Sequence, residues 1–524
     1  MCDTMKGQQQ ILFLTVILIL VKKKYYCISS AHDVHVDPTK VIVFGPGLDA
    51  RITLPVRYFF IQPTDGSNQN ITVSVGDKAF DVTVTQTSGE HVRAWVQVLD
   101  THTGSYIVRF RLYQSYSDIT INIKWEGKHV SKSPYHLSGM VYHEKCYCPI
   151  SRIDKWFEVM GCLERYHQID EDLDIFHIVD LDKVAEEAVS RFSNRGLHSL
   201  SHYRIIDNKI YRKTYGEHVG FKMFSDAILL SLTRKVKLPD FEMFVNLGDW
   251  PLEQRSKEES PLPIFSWCGS ENTRDIIMPT YDITESTIEM MSRVSLDILS
   301  VQGNTGPPWQ NKTEKAFWRG RDSRQERLDL VMLSRRHPEL IDAAMTHMFF
   351  FPKDTEKYGE LVKTISFFDF FKYKYQLNID GTVAAYRFPY LLAGDSAVFK
   401  HESEYYEHFY HDLQPFVHYI PFRRDLSDLV KQIEWAKSHN EEVMNIISNA
   451  RSFVRENLMP KDIYCYHAKL FHKFSKLIKD KPRKPDSSWE LVDQPSDHDA
   501  LCDCKRIRNI KVSEILRSVT RSMN

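Results

Sequence analysis

Phe241-Glu-Met-Phe-Val-Asn-Leu247 runs directly into Gly248-Asp249-Trp250-Pro251. A short apolar run closed by glycine and proline reads as a buried strand ending in a turn. Downstream, Phe317-Trp318 closes another short strand before Arg319-Gly320. Farther on, Leu426, Leu429, Val430, Ile433 and Ala436 recur at helical spacing within Asp425–His439, a pattern that continues toward Leu458. Alternating strands and helices from Cys146 onward predict α/β layers, arranged as two Rossmann-like lobes facing one another. Ligands of such sheets sit beyond the carboxyl ends of strands, where Asp249 and Arg319 fall.

Upstream the pattern changes. Phe80, Val82 and Val84 alternate with Asp81, Thr83 and Thr85, and Tyr106, Val108, Phe110 and Leu112 alternate with Ile107, Arg109 and Arg111. Period two is what a sheet with one face on a core requires. Gly45-Pro46-Gly47, Asp65-Gly66 and Ser88-Gly89 supply turns between the runs. Roughly seven such strands in about a hundred residues predict an immunoglobulin-like β-sandwich over residues 32–139. No cysteine lies in that stretch, so the inter-sheet disulfide of antibody domains is absent. The α/β region then occupies residues 140–480. Residues 481–524 form a Lys/Pro/Ser/Asp-rich tail that reads as loosely ordered.

The 524 residues carry 68 basic against 69 acidic side chains, a balance that speaks against a nucleic-acid binder. Aromatic residues make up 12%, which fits either stacking surfaces or aromatic-filled cores. At the N-terminus, Lys6 precedes the apolar run Ile11–Val21, and Ser29-Ser30-Ala31 provides small residues for cleavage. Residues 1–31 therefore read as a signal peptide, with an uncleaved anchor as the alternative because Lys22, Lys23 and Lys24 follow the run. No later segment is apolar enough for a stable membrane span, so the remainder is expected to be lumenal. Beyond residue 31 lie Cys146, Cys148, Cys162, Cys268, Cys465, Cys502 and Cys504. In an oxidising lumen some pair, and an odd number leaves at least one free thiol. Cys146-Tyr-Cys148 is too tightly spaced for a zinc knuckle. Asn70-Ile-Thr72 and Asn311-Lys-Thr313 are N-glycosylation sequons.

Trp318-Arg-Gly-Arg-Asp-Ser-Arg-Gln-Glu-Arg327 places Arg319, Arg321, Arg324 and Arg327 around a glycine that would let backbone approach a ligand. Guanidinium forks bind phosphate oxygens bidentately. A solvated, charged helix start is the plain alternative. Gly381-Thr-Val-Ala-Ala-Tyr-Arg387 repeats the combination of small residues and an arginine, so the two turns look like halves of one anion site. Asp249 is the best-placed candidate base; taken alone it could equally cap a helix. Asp172-Leu-Asp174 and Asp180-Leu-Asp182 match a metal-binding string, but such strings arise often by chance, and no metal is assigned.

The sequence resembles known families on both sides of the boundary. Gly45-Pro-Gly-Leu48, Asp100-Thr-His-Thr-Gly-Ser-Tyr-Ile-Val108 and Gly127-Lys-His-Val-Ser-Lys-Ser-Pro134 are similar to a filamin-type repeat, which implies a binding or spacing module. Val245-Asn-Leu-Gly-Asp-Trp-Pro251, Phe317–Arg327, Lys372-Tyr-Lys-Tyr375, Gly381–Arg387, His418-Tyr-Ile-Pro421 and Asp462-Ile-Tyr-Cys465 resemble the Rumi-like protein O-glucosyltransferases, within them the KDEL-motif-containing subfamily. That resemblance implies a GT-B-type enzyme of the endoplasmic reticulum lumen. It would transfer glucose from UDP-glucose, with inversion and without a metal or other cofactor. The implied acceptor is a serine of epidermal-growth-factor-like repeats of secreted or cell-surface proteins, such as Notch-type receptors and extracellular matrix proteins. By position, Asp249 takes the base role. Arg327 and the turn Thr382, Val383, Ala384, Ala385, Tyr386 and Arg387 take the UDP-glucose role, and Arg321 stands where relatives carry a serine contact. The resemblance also implies a Cys146–Cys465 disulfide.

Two departures bear on these expectations. The stretch between Pro279 and Arg293 is shorter than in the founding relatives, so acceptor specificity does not carry over from them. The chain ends Arg521-Ser-Met-Asn524 in place of a receptor-read retention tetrapeptide, which leaves secretion open. Transfer of another sugar, such as xylose from UDP-xylose, and a non-catalytic lumenal client-binding role are the competing readings.

Overall fold

In this computed structural model, residues 35–192, 198–255, 260–291, 294, 296–494, 502 and 504 are described. The expected signal segment and most of the tail lie outside them. The sandwich consists of β1 (Ile42–Phe44), β2 (Arg57–Gln62), β3 (Phe80–Gln86), β4 (Ala94–Asp100), β5 (Tyr106–Leu112), β6 (Tyr116–Trp125), β7 (Lys128–His129) and β8 (Tyr135–Val141). One sheet has the order β1-β2-β5-β4; in the other, β6 pairs with β3, β7 and β8. Phe59, Ile61, Val108 and Phe110 fill the space between the sheets with Val84, Ile119 and Ile121. The alternating residues Tyr58, Phe60 and Ile107 do not face water. They join the core of the α/β region, so β2 and β5 are buried on both faces.

Beyond the sandwich come β9 (Leu200–Ile206), β10 (Lys209–Tyr215), β11 (Phe241–Asn246), β12 (Ile264–Ser266), β13 (Gly269–Ser270) and β14 (Ile276–Ile277). They are followed by β15 (Thr313–Arg321), β16 (Ile341–His347), β17 (Tyr373–Asn378), β18 (Ala397–His401), β19 (Tyr405–Tyr406), β20 (Ile420–Phe422) and β21 (Glu490–Val492). The first lobe has a mixed sheet, β14-β12-β11-β9-β10-β21. The β9–β10 hairpin is antiparallel, and only β11, β12 and β14 run parallel. The second lobe has a wholly parallel sheet, β16-β15-β17-β18-β20. The strand order reverses between β15 and β17, with β16 on one side and β18 and β20 on the other, which opens a crevice at their carboxyl ends. The helices Leu429–Ser438 and Asn440–Asn457 follow β20, broken at His439; the helix Pro460–Ser475 then returns to pack against β11 of the first lobe. Among the described residues no helix is long and apolar enough to cross a membrane.

The cysteine pairing differs from the expected Cys146–Cys465. Cys465 bonds Cys162, while Cys146 bonds Cys502 and Cys148 bonds Cys504. Cys465 sits on a helix packed against Ile153–Met160, whose C-cap Gly161 leads straight into Cys162. Cys146 lies instead just after β8, beside Ser115. The tail is not free of the body either. β21 pairs with β10, Trp489 packs on His202 and under Arg204, and both Cys502 and Cys504 are tethered. Cys268 is the free thiol among the described residues, and it is buried. Replacing Cys162 and Cys465 together by alanine should lower stability by about 2–5 kcal/mol, because the bridge closes a very long loop in the unfolded chain. Thermal melting of the double variant measures this, and an unchanged midpoint would show the bridge to be dispensable.

Candidate active site

A cavity of about 500 Å³ opens at the β15/β17 reversal, with the first lobe as its opposite wall. Asp249, Arg321, Arg327, the turn Thr382–Tyr386 and Arg387 all line it. Residues separated by more than a hundred positions thus converge on one crevice.

Asp249 is held by the turn that follows β11. The Asn246 amide donates to the Trp250 carbonyl at 2.7 Å and to Ser266 Oγ at 3.1 Å, and its Oδ1 accepts from Gly248 N at 2.9 Å. No helix follows, so Asp249 is not a cap. Burial raises its carboxyl above the ordinary aspartate range; a hydrogen bond from Tyr281 and the charge of Arg321 pull it partly back. Tyr281 is wedged among Phe221, Phe224, Trp267 and Tyr386, an aromatic wall that removes water from behind the carboxylate. Next to it, Asp282 is pushed up to about 6, first by burial and then by Glu285 and Asp249, with Arg387 opposing. Nothing in the local pattern around Tyr281 and Asp282 marks them as site residues. They open the helix Tyr281–Ile288, and only the docking of that helix brings them to the cavity.

The arginine cluster divides in the fold. β15 extends through Arg321 rather than stopping at Trp318, so Arg319 lies within the strand. Arg319 binds Asp342 Oδ1 at 2.7 Å and stacks on Phe317, which commits its charge to the sheet. Arg324 turns to Glu404 at 3.2 Å. A register shift between Gly320 and Arg321 re-aims Arg321 toward the mouth of the cavity, where it is exposed. Gly320 is needed for packing: a Cβ there would lie 2.5 Å from the Trp318 ring.

Arg327 is buried. Its Nε donates to Asp380 O at 2.7 Å, Nη1 to Arg321 O and Ser323 Oγ, and Nη2 to Ile379 O. One of its five N–H groups is left for a ligand, so Arg327 chiefly ties the ends of β15 and β17 together. Burial, reinforced by Arg387, lowers its guanidinium to about 9. Arg387 precedes the helix Phe388–Ala393 and gives one hydrogen bond to Arg319 O at 2.7 Å, leaving the rest of its fork uncommitted among the described residues. Burial lowers it to about 10, and Asp282 opposes that shift. Both arginines stay charged at neutral pH.

The two acidic strings lie elsewhere. Asp172 is buried and accepts from Gln168 Nε2 and Ile277 N, both at 2.8 Å, while Asp182 pairs with Arg483. None of these carboxylates lines the cavity. Asn70 and Asn311 are exposed.

A carboxylate whose pKa is raised by burial, facing cations across a crevice, suits proton abstraction beside a departing phosphorylated group. Residues 158–512 match the model of glycosyl transferase family 90, and residues 35–136 match the filamin/ABP280 repeat. Protein O-glucosyltransferase 2 of Danio rerio is 55% identical over 468 residues, 89% of this chain and 93% of that protein. Human protein O-glucosyltransferase 3 is 47% identical over 485 residues, 91% and 95% of the two chains. Human protein O-glucosyltransferase 1 is 30% identical over 323 residues, 60% and 80%.

Proposed function

The chain belongs to glycosyl transferase family 90, and from that premise we propose that it transfers glucose from UDP-glucose to a serine of epidermal-growth-factor-like repeats in the lumen of the secretory pathway. The observation that carries this reading is the confrontation, across one cavity, of Asp249 with Arg321, Arg327 and Arg387. The two lobes act as a GT-B pair, with the nucleotide against the parallel second lobe and the acceptor hydroxyl beside Asp249. Asp249 takes the serine proton as the oxygen attacks the anomeric carbon from the face opposite UDP, which inverts that centre. Arg387 and Arg321 meet the growing negative charge on the diphosphate, and no metal is needed for that task. The backbone of Thr382–Tyr386 lies along the donor. Three disulfides and two exposed sequons fit an oxidising lumen.

The test is a mass-spectrometric transfer assay on the full chain with UDP-glucose, UDP-xylose, EDTA and a panel of folded epidermal-growth-factor-like repeats. A gain of one hexose on a serine, undiminished by EDTA, is expected. A pentose gain from UDP-xylose alone would replace the donor. Neither transfer nor UDP binding would leave a non-catalytic client-binding role.

A further inference from the structure

Arg109 sits on the face of β5 that a free sandwich would turn to water, and it is 7% exposed. Its Nη1 donates to both carboxylate oxygens of Asp297, at 3.2 and 3.0 Å, and its Nε to Gln97 Oε1 at 2.9 Å. Asp297 is equally buried and caps the helix Ile298–Gln302, accepting from Ser300 N at 2.9 Å and Ser300 Oγ at 2.6 Å. A second grip lies nearby. Arg455 reaches from the helix Asn440–Asn457 to Ser105 Oγ at 3.0 Å and lies over the Phe60 ring. A Cβ on Gly303 would stand 2.7 Å from Leu99 Cβ, so the two domains touch there backbone to side chain. The segment 296–303 is clasped by the sandwich.

The far side of that segment supports the cavity. Leu296, beside Asp297, lines it. The helix Ile298–Gln302 packs on Phe388–Ala393, which presents Arg387 and Tyr390 to the cavity. The Tyr390 hydroxyl donates to Ser286 Oγ at 2.8 Å, on the helix that carries Tyr281 and Asp282. An unbroken line of contacts therefore runs from Arg109 through Asp297 to the arginine expected to meet the donor diphosphate. A buried ion pair with good geometry is suited to fixing one register of packing.

We propose that the filamin-type sandwich is a working part of the donor site, with Arg109 as a positioning residue that sets Arg387 through Asp297; this rests on the donor-site reading given above. The alternative, a sandwich that only stabilises the chain, would change melting temperature without changing affinity.

In the full chain, Arg109→Met should raise the Kd for UDP by calorimetry, and the KM for UDP-glucose, by about tenfold. Its kcat/KM, counted per folded molecule, should fall by more than the loss of UDP affinity alone, because Arg387 also meets the charge that grows in the transition state. Arg109→Lys should recover part of the affinity, since an ammonium lacks the planar fork. Unchanged UDP affinity in folded Arg109→Met overturns the proposal. If that variant does not fold, Asp297→Asn, which keeps an acceptor for Ser300 N, is read in its place, and normal UDP affinity there overturns it equally. UDP binding needs no acceptor. A parent chain that binds UDP but glucosylates no repeat therefore sinks the acceptor reading alone, whereas one that does not bind UDP sinks both.

Discussion

Asp249→Asn should bind UDP as the parent chain does and transfer sugar about 10²–10⁴-fold more slowly, the usual range for a positioned general base. The substitution keeps shape and removes only the capacity to take a proton. Asn246 still pins the turn, and the aromatic wall around Tyr281 still excludes water. The same residue predicts a pH dependence. Burial raises its carboxyl above the ordinary value of about 3.9. The base acts as the carboxylate, so kcat/KM should fall as pH drops through that raised value, and the limb should vanish in the variant. Asp282, pushed up to about 6, titrates close by, so the limb is shared unless Asp282→Asn leaves it in place. Turnover by Asp249→Asn at the parent rate would remove this residue from the mechanism.

Arg387→Ala is expected to lower kcat/KM by about 10²–10³-fold, the scale of losing one preorganised donor to developing charge, and to weaken UDP binding as well. The guanidinium remains charged despite burial and has most of its fork available. Its loss would also leave Asp282 without the cation that opposes its protonation. Calorimetry with UDP and steady-state kinetics separate the two effects, and unchanged UDP affinity would rule out the phosphate role. Arg327 differs because its hydrogen bonds go to Asp380, Arg321, Ile379 and Ser323; removing it should first loosen the ends of β15 and β17.

Where local pattern agreed with the fold, local forces were enough. Period-two alternation in β3 survives as a half-buried strand, and the apolar run Phe241–Leu247 becomes a central strand because nothing but burial can satisfy it. The alternation in β5 did not reveal that Ile107 and Arg109 are covered, because a second domain, remote in sequence, supplies their cover. The arginine-rich stretch reads as one cation cluster along the chain. Glu404, brought in from another element, draws Arg324 away from the cavity, and Asp342 neutralises Arg319 at its edge, so that Arg321 and Arg327 line the cavity without a carboxylate partner.

The chain's own sequence determined its two kinds of domain, the candidate base Asp249 and the two arginine-bearing turns, because periodicity and turn chemistry act over a few residues. Tertiary structure alone decided which arginines face the cavity without a carboxylate partner, that Tyr281 and Asp282 join them, how the cysteines pair, and that the sandwich clasps the segment behind the cavity wall. Each of these depends on which distant surfaces meet, and such meetings are set by the packing of whole elements rather than by neighbours along the chain.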